Sequence, residues 1–183
     1  MIRTYTRTEM LKLWRKAAGL EPSRVDCTIE RVDGIDADAV IEPRMRAWYL
    51  HLLDTAPLHL LAATDASRTI HVDYCEWHEG AAGLLPDTVR RLLEVHVTGW
   101  KCHAVPCSPQ EQPRRHRLAL NPYSAPGPAH PLCTLYGRRI HVLPFEAGDF
   151  VDYALAVTDP GPEVYTLDDS LLSTIPTEIY DEH

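Results

Sequence analysis

Residues 93–98 read Leu93-Glu94-Val95-His96-Val97-Thr98, with apolar side chains at Leu93, Val95 and Val97 alternating with polar ones. Successive side chains of an extended strand leave opposite faces, so a period of two marks a strand with one face buried and the other in solvent or an interface. The same period runs through Ile70, Val72 and Tyr74 against His71, Asp73 and Cys75. It recurs at Ile140 and Val142 against Arg139 and His141, and again at Val151, Tyr153, Leu155 and Val157. Gly137-Arg138 falls where a hairpin would turn. From Ser67 onward the chain therefore reads as strands.

Upstream the period lengthens to that of a helix. Thr6-Arg7-Thr8-Glu9 has the form of a capping box, and Met10, Leu13, Trp14 and Ala17 follow at helical spacing before Gly19 supplies a stop. A helix is expected over Arg7–Ala18. A linker through Pro22 and a short strand over Val25–Val32 come next, then a second helix over Asp36–Asp54 whose apolar face is Met45, Trp48, Tyr49, Leu52 and Leu53. Pro43 places the start of its regular part, since proline suits a first helical turn, and Pro57 ends it. Two proline-rich connections, 106–113 and 122–131, flank a short Arg-rich helix near Arg114–Leu120, and Asp168–Tyr180 reads as a last helix interrupted by Pro176. The fold expected is α+β: N-terminal helices followed by a mostly antiparallel β-rich body with projecting proline-rich loops. Residues 1–66 form the helical part and 67–183 the β-rich body with the short and C-terminal helices, together one structural unit.

The bulk properties narrow the function classes. At 183 residues the chain buries roughly 70% of its unfolded surface, so no metal or disulfide staple is required. The longest apolar stretches, Leu58–Ala63 and Ala81–Pro86, fall far short of the roughly 20 residues a spanning helix needs. Met1–Glu9 lacks the apolar stretch of a secretory signal, and the odd count of cysteines (Cys27, Cys75, Cys102, Cys107 and Cys133) fits reduced thiols in a cytosolic setting. With 26 acidic against 18 basic residues the net charge is −8, the wrong sign for gripping a polyanion.

Motifs that carry chemistry are weak. His71, Asp73 and Cys75 share one face of a strand and His78 follows, with Cys102-His103 as further donors, but the spacing matches no closed zinc site. Cys75 with His78 or His96 would make a thiol–imidazole pair, yet no nucleophile elbow surrounds it. Gly80-Ala81-Ala82-Gly83 reads as a turn lacking the lysine of a phosphate loop, and Asp168-Asp169 reads as helix capping. Trp14, Trp48, Trp77 and Trp100 fall on apolar faces and read as core. The expectation is no catalytic site, no metal and no cofactor. What remains is Arg114, Arg115 and Arg117, which can pair with an acidic neighbour, and Tyr123 within Asn121-Pro122-Tyr123-Ser124, an aromatic on a proline-rich loop of the kind that anchors partners.

The order of segments resembles a known family. Ala82-Gly83-Leu84-Leu85-Pro86-Asp87, then Leu92-Leu93-Glu94-Val95-His96-Val97, then Gly99-Trp100-Lys101, is similar to a stretch in neck proteins of tailed phages and prophages of Bacteroidales, crAss-like phages included. Leu120-Asn121-Pro122-Tyr123 with Ala129-His130-Pro131-Leu132-Cys133-Thr134-Leu135 looks like their arm and next strand. Arg46-Ala47-Trp48-Tyr49 and Ala56-Pro57-Leu58-His59-Leu60-Leu61 resemble their second helix and its exit, and the layout over roughly 36–157 is more distantly similar to tail tubular protein A-type adaptors. The basic, glycine-containing arm usual in the family is here Ser124-Ala125-Pro126-Gly127-Pro128. The resemblance implies a non-enzymatic head–tail connector subunit, found in the virion and, during assembly, in the host cytoplasm. Its partners would be other copies in a ring, the portal protein and a tail or second ring protein, with DNA passing unbound and no membrane. The residues alone leave two alternatives: a small metal- or thiol-dependent enzyme using Cys75, His78, Cys102 and His103, or an interaction module of another complex.

The charge yields a direct test. In an anisotropy titration with duplex DNA at about 150 mM salt, the protein is expected to show no micromolar binding, and micromolar binding there would contradict the reading of its charge.

Overall fold

The computed structural model describes residues 1–20, 37–75, 80–108, 110 and 123–177. The expected strand over Val25–Val32, the helix near Arg114–Leu120, Trp77 and His78 lie outside the described residues. The chain is α+β, and among the described residues three sheets form, with antiparallel ladders throughout. The described residues fall into two units, those of Met1–Ala62 and Asp159–His183 in one and those of Ala63–Thr158 in the other.

The first unit joins the two ends of the sequence. Strand β1 (Ile2–Thr6) pairs over its whole length with β9 (Val164–Asp168), a ladder that neither segment's composition announces. Helix α1 (Arg7–Ala17) follows at once, its start fixed by the Thr6–Glu9 capping box: Thr6 Oγ1 accepts from Glu9 N, and Glu9 Oε2 accepts from Thr6 N at 2.8 Å. It stops in a Schellman arrangement, with Leu20 N donating to Arg15 O and Gly19 N to Lys16 O.

Helix α2 (Ala37–Thr55) buries Ile41, Met45, Tyr49 and Leu53, one residue per turn. Pro43 therefore lies inside the helix and does not begin it. The missing proline N–H costs a bond, but Ile41 is fully buried before it and Asp38 is gripped by the Arg15 guanidinium, so packing and charge hold the first turns. Tyr49 hydroxyl accepts from Thr166 N at 3.0 Å and packs edge-on against Tyr165 at 4.9 Å, tying α2 to β9; burial pushes its pKa up. After β9 the expected last helix is a 3-10 helix over Asp169–Thr174, and residues 178–180 of the expected span lie outside the described residues. Asp168 caps it through Ser170 N, as its carboxylate predicts, but the hydroxyls of Ser173 and Thr174 bond back to the carbonyls of Ser170 and Leu171.

The second unit holds the other two sheets. In one, β2 (Thr64–Asp65), β8 (Val151–Thr158) and β5 (Val89–Val97) lie side by side in that order. In the other the order is β3 (Asp73–Cys75), β4 (Gly80–Leu84), β7 (Arg139–Leu143), β6 (Leu132–Tyr136). Asp65 accepts from the backbone amides of Ser67 and Ala154, and these bonds hold its carboxyl below the usual range. Arg138, in the β6–β7 turn, donates to the carbonyls of Leu85, Pro86 and Val89 and so ties down the link between β4 and β5.

Two strand phases differ from the simple alternation. Register shifts in the β5–β8 ladder leave Arg90 and Leu93 as extra residues on β5 and Asp152 as an extra residue on β8. Each bulge turns the strand's alternation over. Of the expected apolar faces Val95, Val97, Val151 and Val157 are buried, joined by Val89, Leu92, Ala154 and Ala156, while Leu93, Tyr153 and Leu155 are only half-buried.

Gly80-Ala81-Ala82-Gly83 is strand β4 and not a turn. Its small side chains let neighbours close in: a Cβ on Gly83 would sit 2.1 Å from His71 O, and one on Gly80 would sit 2.6 Å from Val142 O. Replacing Gly83 with alanine forces backbone apart, and thermal or urea unfolding should show a loss of about 3 kcal/mol or more. Gly127, with nothing within 4 Å of its built Cβ, is the control: Gly127→Ala should stay within about 0.5 kcal/mol of the parent. Similar stability for the two variants would refute this packing.

Candidate functional site

The proline-rich loop that enters β6 is held at its base by the turn that leaves β5. That turn runs from Val97 to Trp100, with Trp100 N donating to Val97 O at 3.0 Å. Gly99 at φ +82° occupies the position where a type II turn demands a left-handed residue. Trp100 then inserts its ring, 7% exposed, into the core of the unit, and its indole N–H donates to Pro144 O at 2.8 Å. The chain returns along β5, where Val95 and Ala104 exchange both backbone bonds.

With that segment anchored, two of its residues reach the loop. Lys101 N donates to Pro128 O at 2.7 Å, and the Cys102 thiol donates to Ala129 O at 3.3 Å. The loop closes on itself where His130 N bonds Gly127 O. Between the loop and the returning segment opens a groove of about 530 Å³, lined by Cys102, His103, Tyr123, Pro126, His130 and Pro131 among others. Tyr123, on its rim, is 99% exposed and not tucked against the β body.

Beside the groove, the outer face of β5–β8 carries two imidazoles and two carboxylates. His96 Nδ1 lies 2.6 Å from Asp152 Oδ1, and His103 Nδ1 lies 3.2 Å from Glu94 Oε2. The two imidazole rings are 5.0 Å apart, and His103 lies 5.1 Å from the ring of Tyr153.

The residues singled out from the sequence are placed unevenly. Tyr123 stands on the loop rim, while Arg114, Arg115 and Arg117 lie outside the described residues. His71 and Asp73 are exposed on and beside β3, Cys75 ends that strand, and His78 lies outside the described residues. Among the described residues no group of three or more His, Cys, Asp or Glu side chains is placed to hold a metal ion. No described helix is long and apolar enough to cross a membrane.

Trp14 and Trp100 are core; Trp48 is half-buried, with its indole N–H on Thr174 Oγ1. Lys101 and Asp152 carry no chemical motif in the sequence that marks them as part of this site. Gly99-Trp100 was the signal for the first, since a glycine before a buried indole marks a tight turn into the core. No local signal existed for Asp152, whose partner is 56 residues away. Compared with known proteins, the chain matches no protein-family model and no curated protein.

Proposed function

We propose that this chain is a docking subunit of a larger assembly, and specifically the head–tail connector that its segment order resembles, a ring protein joining the portal to the tail. The observation that carries the docking reading is Tyr123, almost wholly exposed on a loop whose base is fixed. A tyrosine can remove roughly 150–250 Å² from water when it docks, and leaving such a side chain outside has its use at an interface. Pro126 and Pro128 restrict the loop before any partner arrives, so less entropy is lost on docking than a Gly/Ser loop would lose.

The basic run Arg114, Arg115 and Arg117, a few residues earlier in the chain, supplies charge for an acidic neighbour. A protein of net charge −8 has an acidic surface to offer in return when copies meet head-to-tail, as a ring requires. The same charge keeps a passing duplex from sticking.

The test replaces Tyr123 with serine together with Arg114, Arg115 and Arg117, and measures unfolding beside assembly. The unfolding midpoint should move by no more than about 2 °C, because Tyr123 is almost wholly exposed and the other three side chains are charged. Co-purification with a candidate portal protein, and self-assembly followed by mass photometry, should weaken by roughly thirtyfold or more, the cost of truncating at least one interface anchor. A collapse of stability with normal assembly of the remaining folded protein would make the loop structural and the docking reading wrong.

A further inference from the structure

His96 faces a hydrogen-bond acceptor on each of its ring nitrogens. Nδ1 lies 2.6 Å from the Asp152 carboxylate and Nε2 lies 3.2 Å from the carbonyl oxygen of Trp100. A neutral imidazole carries one N–H and can serve only one of them; the imidazolium carries two and serves both. The arrangement is built by the fold. Asp152 is the extra residue where the ladder steps from His96↔Tyr153 to Val97↔Val151, and a bulge of this kind re-aims a side chain out of the regular alternation.

The Trp100 carbonyl belongs to the same peptide group as the Lys101 N–H, which donates to Pro128 O at 2.7 Å. A proton on His96 Nε2 therefore polarises that peptide and strengthens the bond its other end makes to the loop, because hydrogen bonds in a chain reinforce one another. The relay runs from the Asp152 carboxylate through the imidazole and one peptide to the Tyr123 loop.

We propose that His96 is a pH-sensitive clamp on the docking loop: protonated, it joins β5, β8 and the Trp100 turn and seats the loop base, and deprotonated it gives up one of its two bonds and loosens that seat. The groups facing it are Asp152 and Tyr153 from β8, Glu94 from its own strand, and His103 and Trp100 from the returning segment. A charge on His103 opposes one on His96, and Glu94 beside His103 offsets it. Both bonds exist only while both ring nitrogens carry hydrogens, so the seat is firm when the imidazole is protonated and loosens once it gives up its proton. Only the effect on docking rests on the assembly reading.

Nuclear magnetic resonance on the isolated, isotope-labelled protein tests the clamp between about pH 5 and pH 8. Ring nitrogen shifts should show both His96 nitrogens protonated at the acid end. As the ring loses its proton, protection of the Lys101 amide, corrected for the intrinsic pH dependence of exchange, should fall roughly tenfold with the same midpoint. His96→Gln should abolish that step, and His103→Gln should leave it in place. A Lys101 amide whose protection does not change with pH would overturn the clamp, as would a step that survives in His96→Gln. If His96→Gln fails to fold, a Lys101 step whose midpoint differs from that of the His96 ring nitrogen shifts overturns it alone. The readout needs no partner, so its failure is distinct from a failure of portal co-purification.

Discussion

The β5–β8 ladder is the constraint on which the second unit depends. It is the longest pairing among the described residues, and its three register shifts decide which side chains enter the core and which line the outer face. Val89, Val95 and Val97 are buried essentially completely, each stabilising the fold by roughly 1.5–3 kcal/mol. On the opposite side the same bulges leave Glu94, His96 and Tyr153 outward and bring Asp152 to His96. Packing sets the register, and polar geometry follows from it.

Trp100 carries this order to the loop. Its burial in the core and its bond to Pro144 O fix where the chain re-emerges at Lys101, and the Lys101 amide then holds Pro128. The exposed tyrosine is thus attached to the sheet by two short steps. A buried indole with its N–H satisfied is a firm anchor, since both its area and its hydrogen bond favour the same position.

The first unit solves a different problem, that of bringing chain ends 160 residues apart into one ladder; Thr4 and Thr166 face each other across it, 162 positions distant. The exposed ion pairs around α1 and α2, such as Arg15 with Asp38, contribute at most about 1 kcal/mol each. The larger share comes from the buried face of Met10, Trp14, Ile41, Met45, Tyr49 and Leu53 together with Tyr165 and Leu167. Tyr49 is the polar member of that set, and it is tolerated because its hydroxyl meets the backbone of Thr166.

The sequence by itself determined what is local. The capping box at Thr6 and Glu9, the stop after Ala17, the buried face of α2, the hairpin at Gly137 and the α+β class all rest on residues within a few positions of one another, where periodicity and turn chemistry act directly. Tyr123 was legible as a loop aromatic, and its exposure followed.

Tertiary structure alone decided where the alternation of β5 and β8 breaks, at Leu93, Tyr153 and Leu155, because a bulge of one residue reverses a period of two and leaves no mark in composition. It also turned a glycine-rich segment into β4, since close approach to His71 and Val142 exists only once the sheet has formed. The base of the loop and the His96 clamp were hidden for the same physical reason. Their partners are backbone carbonyls and a carboxylate distant in sequence, and every residue carries a backbone carbonyl, so only the folded chain selects which one is met.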